Sequence, residues 1–146
     1  MIVIVDYGCG NVNAFVNVFN RMNIESIISS GIDEINQAKK IILPGVGSFD
    51  NVMKSFNGSG LRDIVEKKVF KDKIDVLGVC SGMQILAESS EEGNEKGLGW
   101  IDGKVKIFDT NTINHQTKLP HMGWNTVNPI DSSLFSGIDP GSKFYF

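Results

Sequence analysis

Cysteine, histidine and proline are scarce in this chain, at 2, 2 and 4 of its 146 residues. Cys9 and Cys80 alone cannot staple a small fold, so a disulfide framework is excluded and a reducing compartment is expected. These cysteines lie far apart and neither His115 nor His121 has a partner at ligand spacing, so no metal site is expected. Long apolar runs are missing as well. No stretch approaches the roughly 20 residues of a membrane-spanning helix. The opening MIVIVDYG has no basic region ahead of its apolar run and does not read as a signal peptide. Basic clusters are lacking and the net charge is -3, which argues against a nucleic-acid partner. These exclusions converge on a cytoplasmic protein.

What is present is 41% hydrophobic residues and 16 glycines, which suits one domain over residues 1–146 with many tight turns and a real core. Residues 2–5 form a β-branched run that reads as a strand buried on both faces. After the turn Asp6-Tyr7-Gly8-Cys9-Gly10-Asn11, residues Val12, Phe15, Val16, Phe19 and Met22 repeat at helical spacing. Further strands are expected over 24–28, over 40–43 (stopping at Pro44) and over 75–79. Helices are expected over 49–56 and 61–70, split by Asn57-Gly58-Ser59-Gly60, with another beginning over 83–87. Strands alternating with helices predict an α/β fold with a parallel sheet.

Beyond Ser89 the texture changes. Residues 89–97 read as a polar, flexible segment, 100–108 as an antiparallel strand and 109–118 as a polar loop. Residues 124–127 read as another short strand, and Phe144-Tyr145-Phe146 as the start of one. Because natural domains seldom end inside a buried element, the sequence is expected to stop short of the end of its fold.

The segment Val76-Leu77-Gly78-Val79-Cys80-Ser81-Gly82-Met83-Gln84 carries the chemistry. A buried strand runs into Cys80 with glycine two residues before and two after, the pattern of a nucleophile elbow that lifts one side chain above a sheet. The helix that follows offers backbone N–H groups and the positive end of its dipole to the sulfur. A small buried core cysteine is the other reading of Cys80, and the preferred one for Cys9, which has no elbow around it. Acyl chemistry also needs an oxyanion hole, and Pro44-Gly45-Val46-Gly47 is placed to supply backbone donors, unless it is an ordinary strand-ending turn. Gly8-Cys9-Gly10 lacks the third glycine of a dinucleotide fingerprint, since position 13 is Asn, and no GK[ST] occurs. No cofactor is expected.

At these residues the chain resembles a known family. Gly-Val-Cys-Ser-Gly-Met-Gln matches the nucleophile motif of class I (triad-type) glutamine amidotransferases. Pro-Gly-Val-Gly-Ser-Phe-Asp, Leu-Pro-His-Met-Gly-Trp-Asn, Asp-Tyr-Gly-x-Gly-Asn and the Glu-Ser-Ser-Glu-Glu-Gly…Gly-Leu-Gly segment are similar to one branch, the glutaminase subunit of imidazole glycerol phosphate synthase. The resemblance runs the whole length in the right order. It implies a three-layer, flavodoxin-like parallel-sheet fold, incomplete at the C-terminus. It also implies that Cys80 forms a glutamyl thioester from glutamine, with the backbone of Val46, Gly47 and Ser81 as oxyanion hole. Gly47, Gln84 and Glu92 match substrate-binding positions, although a solvated helix residue and a loop charge are the plainer readings of the last two. The partner implied is a TIM-barrel cyclase forming a heterodimer, which receives ammonia to make imidazole glycerol phosphate in histidine biosynthesis. Asn11, Pro44, Gly45 and Trp124 match positions at or near that interface. His121 belongs to the Pro-His-Met-Gly-Trp-Asn motif and reads as structural.

The chain departs from the family in two respects. Ser81 stands where a bulky apolar residue is usual. The family's catalytic His and Glu follow a segment beyond the Phe-Tyr-Phe run, so these 146 residues are expected to hydrolyse glutamine poorly or not at all. Two alternatives stay open: a paralogous amidotransferase subunit in surface-polysaccharide or glycan sugar synthesis, and a catalytically dead fragment that only binds a partner.

Overall fold

A computed structural model describes residues 1–109, 111–113, 120–129 and 133–146. The chain divides into two compact units, Met1–Ile107 and Phe108–Phe146. The first unit is an α/β body. Strands β1 (Ile2–Val5), β2 (Ser26–Ser29), β3 (Lys40–Gly45) and β4 (Asp75–Cys80) pair in parallel in the order β2-β1-β3-β4. Helices α1 (Val12–Arg21), α2 (Ile32–Asn36), α3 (Phe49–Gly58), α4 (Arg62–Glu66) and α5 (Ser81–Gln84) connect or follow them. Val3, Val5, Ile41 and Leu43 point from β1 and β3 into one core, packed with Ile35 of α2, Phe49, Val52, Met53 and Phe56 of α3, Val65 of α4, and Ile85. Burial of this apolar surface, at about 25 cal/mol per Å2, is the main force holding β3. By contrast β4, expected to be a buried strand, is an edge strand with no buried residue and Leu77 52% exposed, held by its ladder with β3.

The order of β2, β1 and β3 places a topological switch between β1 and β3, where the chain winds off in opposite directions. In open α/β sheets the crevice beyond the carboxyl ends of the strands at such a point is where ligands bind. Here that crevice is bordered by residues 6–11 after β1, residues 46–48 after β3 and Cys80 at the end of β4.

Several expectations are corrected. β3 does not stop at Pro44 but runs to Gly45, because its ladder with β1 ends at Ile42 while its ladder with β4 continues through Pro44↔Val79 and Gly45↔Cys80. Paired on one side only, the strand tolerates a residue without an N–H. The fourth helix does not continue as an α-helix through Phe70 but passes into a π-helical turn at Lys67–Lys71. Residues 89–97, expected to be flexible, are tied down by the Asp50 carboxylate, which accepts from the N–H groups of Asn94 (3.0 Å) and Glu95 (2.9 Å).

The antiparallel strand expected over 100–108 shrinks to β6 (Lys104–Val105), and it lies parallel to β5 (Ser89–Ser90). The reason is hydrogen bonding nearer the start of that stretch. Leu98, Gly99, Trp100 and Ile101 spend their N–H groups on the carbonyls of Ile85, Ala87 and Leu86, wrapping the end of α5 in place of forming a ladder. The second unit holds an antiparallel pair, β7 (Trp124–Thr126) with β8 (Lys143–Tyr145), close to both sequence expectations. The loop expected over 109–118 lies mostly outside the described residues.

Candidate active site

Cys80 is the last residue of β4 and the residue from which α5 starts, with φ 54° and ψ −125°. This backbone conformation is one that side chains other than glycine rarely adopt. The surrounding glycines explain how it is held. A Cβ on Gly78 would lie 2.6 Å from the Gly82 carbonyl oxygen and from Met83 Cα. One on Gly82 would meet the Leu43 carbonyl oxygen, and one on Gly45 would meet the Gly82 nitrogen. The start of α5 is therefore wedged against the end of β3, backbone on backbone, and the chain must turn sharply at Cys80. The thiol is exposed. Cys9, by contrast, is buried in the core, with the Asn51 side-chain amide at 3.9 Å from its sulfur.

Across from the elbow, the loop of residues 46–48 follows β3. Gly47 has φ +100°, a conformation open to glycine, and Val46 is 61% exposed. Among the described residues, none accepts a hydrogen bond from the N–H of Val46 or Gly47. Backbone donors left unpaired beside an exposed thiol are what stabilisation of a developing oxyanion requires. The Ser81 hydroxyl, buried, donates to the Gly47 carbonyl oxygen at 2.7 Å.

Glu92 is 43 residues from Phe49 in sequence, yet its Oε2 accepts from the Phe49 N–H at 2.9 Å. Ser48, the residue before α3, makes no side-chain cap, so Glu92 closes this helix end in its place. Asp50 in the same turn holds Asn94 and Glu95, and a Cβ on Gly93 would collide with the Asp50 carboxylate. The two acidic residues thus join α3 and the 90–95 segment reciprocally. The backbone N–H groups of Glu95 and Asn94 hold the Asp50 carboxyl below its ordinary value. Gln84, on α5, is half-buried, and its side-chain amide makes no hydrogen bond among the described residues.

A cleft of about 320 Å3 opens at Cys80, lined by Asn11, Ala14, Phe15, Pro44, Gly45, Val46 and Val79. Asn11 also caps α1, its Oδ1 accepting from the Ala14 N–H at 3.3 Å. The structure thus brings together Cys80, Val46, Gly45, Pro44 and Asn11 around one opening, with Ser81 and Gly47 bonded beside it. Trp124 and His121 belong to the second unit, where Trp124 stacks edge-on with Tyr145 and His121 is hydrogen-bonded to Asn125. His115 lies outside the described residues.

Sequence reasoning missed Tyr7 and Asp50. The Tyr7 hydroxyl donates to the Pro44 carbonyl, and burial, with Cys9 second, pushes its phenol up, so it remains a donor. Its signal was a tyrosine inside a glycine-rich turn; that of Asp50 was a carboxylate one residue into a helix. Among the described residues no group of His, Cys, Asp and Glu is arranged to hold a metal, and no helix is long and apolar enough to cross a membrane.

With this geometry in view, the comparisons with known proteins are specific. Residues 3–144 match the family model described as glutamine amidotransferase class-I. The imidazole glycerol phosphate synthase subunit HisH of Bdellovibrio bacteriovorus is 50% identical over 147 residues, covering 100% of this chain and 72% of that protein. The HisH subunit of Leptospira interrogans is 49% identical with the same coverage, and HisH 2 of Pseudomonas aeruginosa is 44% identical, covering 71% of that protein. A solved structure described as a glutamine amidotransferase shares the fold, with a TM-score of 0.64 at 22% identity, covering 86% of this chain and 64% of that one. An exposed cysteine on a strained strand-to-helix turn is thus matched by sequence identity running the full length of the chain. It belongs to the class-I glutamine amidotransferase family, alongside the HisH subunits of imidazole glycerol phosphate synthase.

Proposed function

We propose that the chain is the glutamine-hydrolysing subunit of imidazole glycerol phosphate synthase, supplying ammonia for histidine biosynthesis. The observation that carries this reading is Cys80, exposed at φ 54° at the end of β4 beside the unpaired N–H groups of Val46 and Gly47. Its thiolate attacks the side-chain amide carbon of glutamine. A C–S bond forms and the carbonyl π pair moves onto oxygen, which the N–H groups of Val46, Gly47 and Ser81 stabilise. Collapse restores the carbonyl and expels the protonated amide nitrogen as ammonia, leaving a glutamyl thioester. Water then releases glutamate and regenerates the thiol.

Gly47, Gln84 and Glu92 hold the substrate in this reading. Glu92 Oε2 is engaged at the start of α3, and its second oxygen is the one left to meet an ammonium group. Residues 1–107 contain no histidine to take the Cys80 proton. Ammonia passes to a cyclase partner in a cytoplasmic heterodimer, docked over the opening bordered by Asn11, Pro44 and Gly45.

The test is glutamate release by the assembled enzyme. Cys80→Ala is expected to abolish it and Cys9→Ala to leave it within about twofold. Turnover surviving in Cys80→Ala would rule the reading out.

A further inference from the structure

Ser81 is one of few polar residues buried in the first unit, at 4% exposure, and a buried hydroxyl is costly unless it is paired. Its partner is the Gly47 carbonyl at 2.7 Å, 34 residues away in sequence. Among the described residues this is the hydrogen bond that Gly47 makes, and Val46 beside it makes none. Gly47 at φ +100° has the freedom to rotate its peptide. A carbonyl swung towards the reacting carbon would present negative charge where an oxyanion must form.

We propose that the Ser81 side chain, separately from the backbone N–H of the same residue, is a positioning residue for the oxyanion loop: its hydroxyl latches the Gly47 carbonyl and keeps it off the developing negative charge. The hydroxyl has one proton. Given to Gly47, it is not available to the Cys80 sulfur, which lies 3.9 Å from Ser81 Oγ. The latch therefore steadies the loop without quenching the nucleophile. It is specific to a hydroxyl at this position, which the sequence marked only as a departure from a bulky apolar residue.

The proposal rests on the glutaminase reading for its catalytic consequence, and Ser81→Ala in the assembled enzyme tests it. Losing one net hydrogen bond from the transition-state geometry predicts a fall in kcat for glutamine of about three- to tenfold, with KM within about twofold. Alkylation of Cys80 by iodoacetamide, in which the sulfur displaces iodide and no oxyanion forms, is expected to stay within about twofold. Amide hydrogen exchange at Gly47 and Ser48 is expected to quicken. A kcat within twofold of the parent overturns the proposal. So does alkylation that falls as far as turnover, because Ser81 would then act on the sulfur or on the fold. Unchanged exchange at Gly47 and Ser48 overturns the latch in any case. Should Cys80→Ala release glutamate as fast as the parent, the glutaminase reading fails, and the exchange measurement still decides whether the latch exists.

Discussion

The conformation of Cys80 makes a quantitative prediction about stability. At φ 54° and ψ −125° a residue with a Cβ carries strain of about 1–3 kcal/mol, held by the wedge of Gly45, Gly78 and Gly82. Cys80→Ala keeps the Cβ and the strain, whereas Cys80→Gly removes both. Glycine in turn costs about 0.5–1 kcal/mol of additional chain entropy. The difference leaves Cys80→Gly more stable than Cys80→Ala by up to about 2.5 kcal/mol. Because the thiol is exposed, little packing is lost in either variant and the comparison isolates the backbone. Urea unfolding followed by far-UV circular dichroism reads this directly: at a slope near 2 kcal/mol per molar, each kcal/mol moves the midpoint by about 0.5 M. Neither variant should hydrolyse glutamine. A midpoint for Cys80→Ala above that of Cys80→Gly, at unchanged slope, refutes the claim that the elbow stores strain.

Other residues give further tests. Gly82→Ala drives a Cβ into the Leu43 carbonyl and is expected to destabilise by about 1–3 kcal/mol, while Gly58→Ala, with open space around it, should be neutral or stabilising; similar melting for both would show the wedge to be unimportant. Glu92→Gln keeps an acceptor for the Phe49 N–H and should retain stability while raising KM for glutamine, whereas Glu92→Ala should lose about 1 kcal/mol as well; calorimetry and kinetics separate the two, and an unchanged KM in both removes Glu92 from the substrate site. Asp50 has its folded carboxyl held below the ordinary 3.8 by the N–H groups of Glu95 and Asn94, so its anchoring is complete above that value and is lost as pH falls through the lower folded one. The amide proton shifts of Asn94 and Glu95 should therefore be steady at pH 5, move in stronger acid, and not respond in Asp50→Asn; movement already at pH 5 would contradict the assignment.

Much of the first unit was legible because its signals are local. The apolar run of β1, the three-and-four spacing of α1 and the glycines framing Cys80 each encode one element within a few residues. The five residues of α2 are too few to show a period, and it went unread. The end of β3 was misplaced because tolerance of Pro44 depends on where the ladder with β1 ends. The strand expected over 100–108 had the right residue types, but the N–H groups at its start were already committed to the end of α5. In the site, residue types pointed to Cys80 and to the glycine loop. Their fastening did not show. Glu92 reaches Phe49 across 43 residues, Asp50 reaches Glu95 across 45 and Ser81 reaches Gly47 across 34, and no pattern along the chain records those meetings.

The central claim is that Cys80 is a nucleophile shaped for glutamine. Its most direct test is covalent labelling of the assembled enzyme with an electrophilic glutamine analogue, located by peptide mass spectrometry. The account predicts near-stoichiometric modification of Cys80, protection by excess glutamine, and no modification of the buried Cys9. Labelling that glutamine does not slow, or that falls equally on both cysteines, would contradict it.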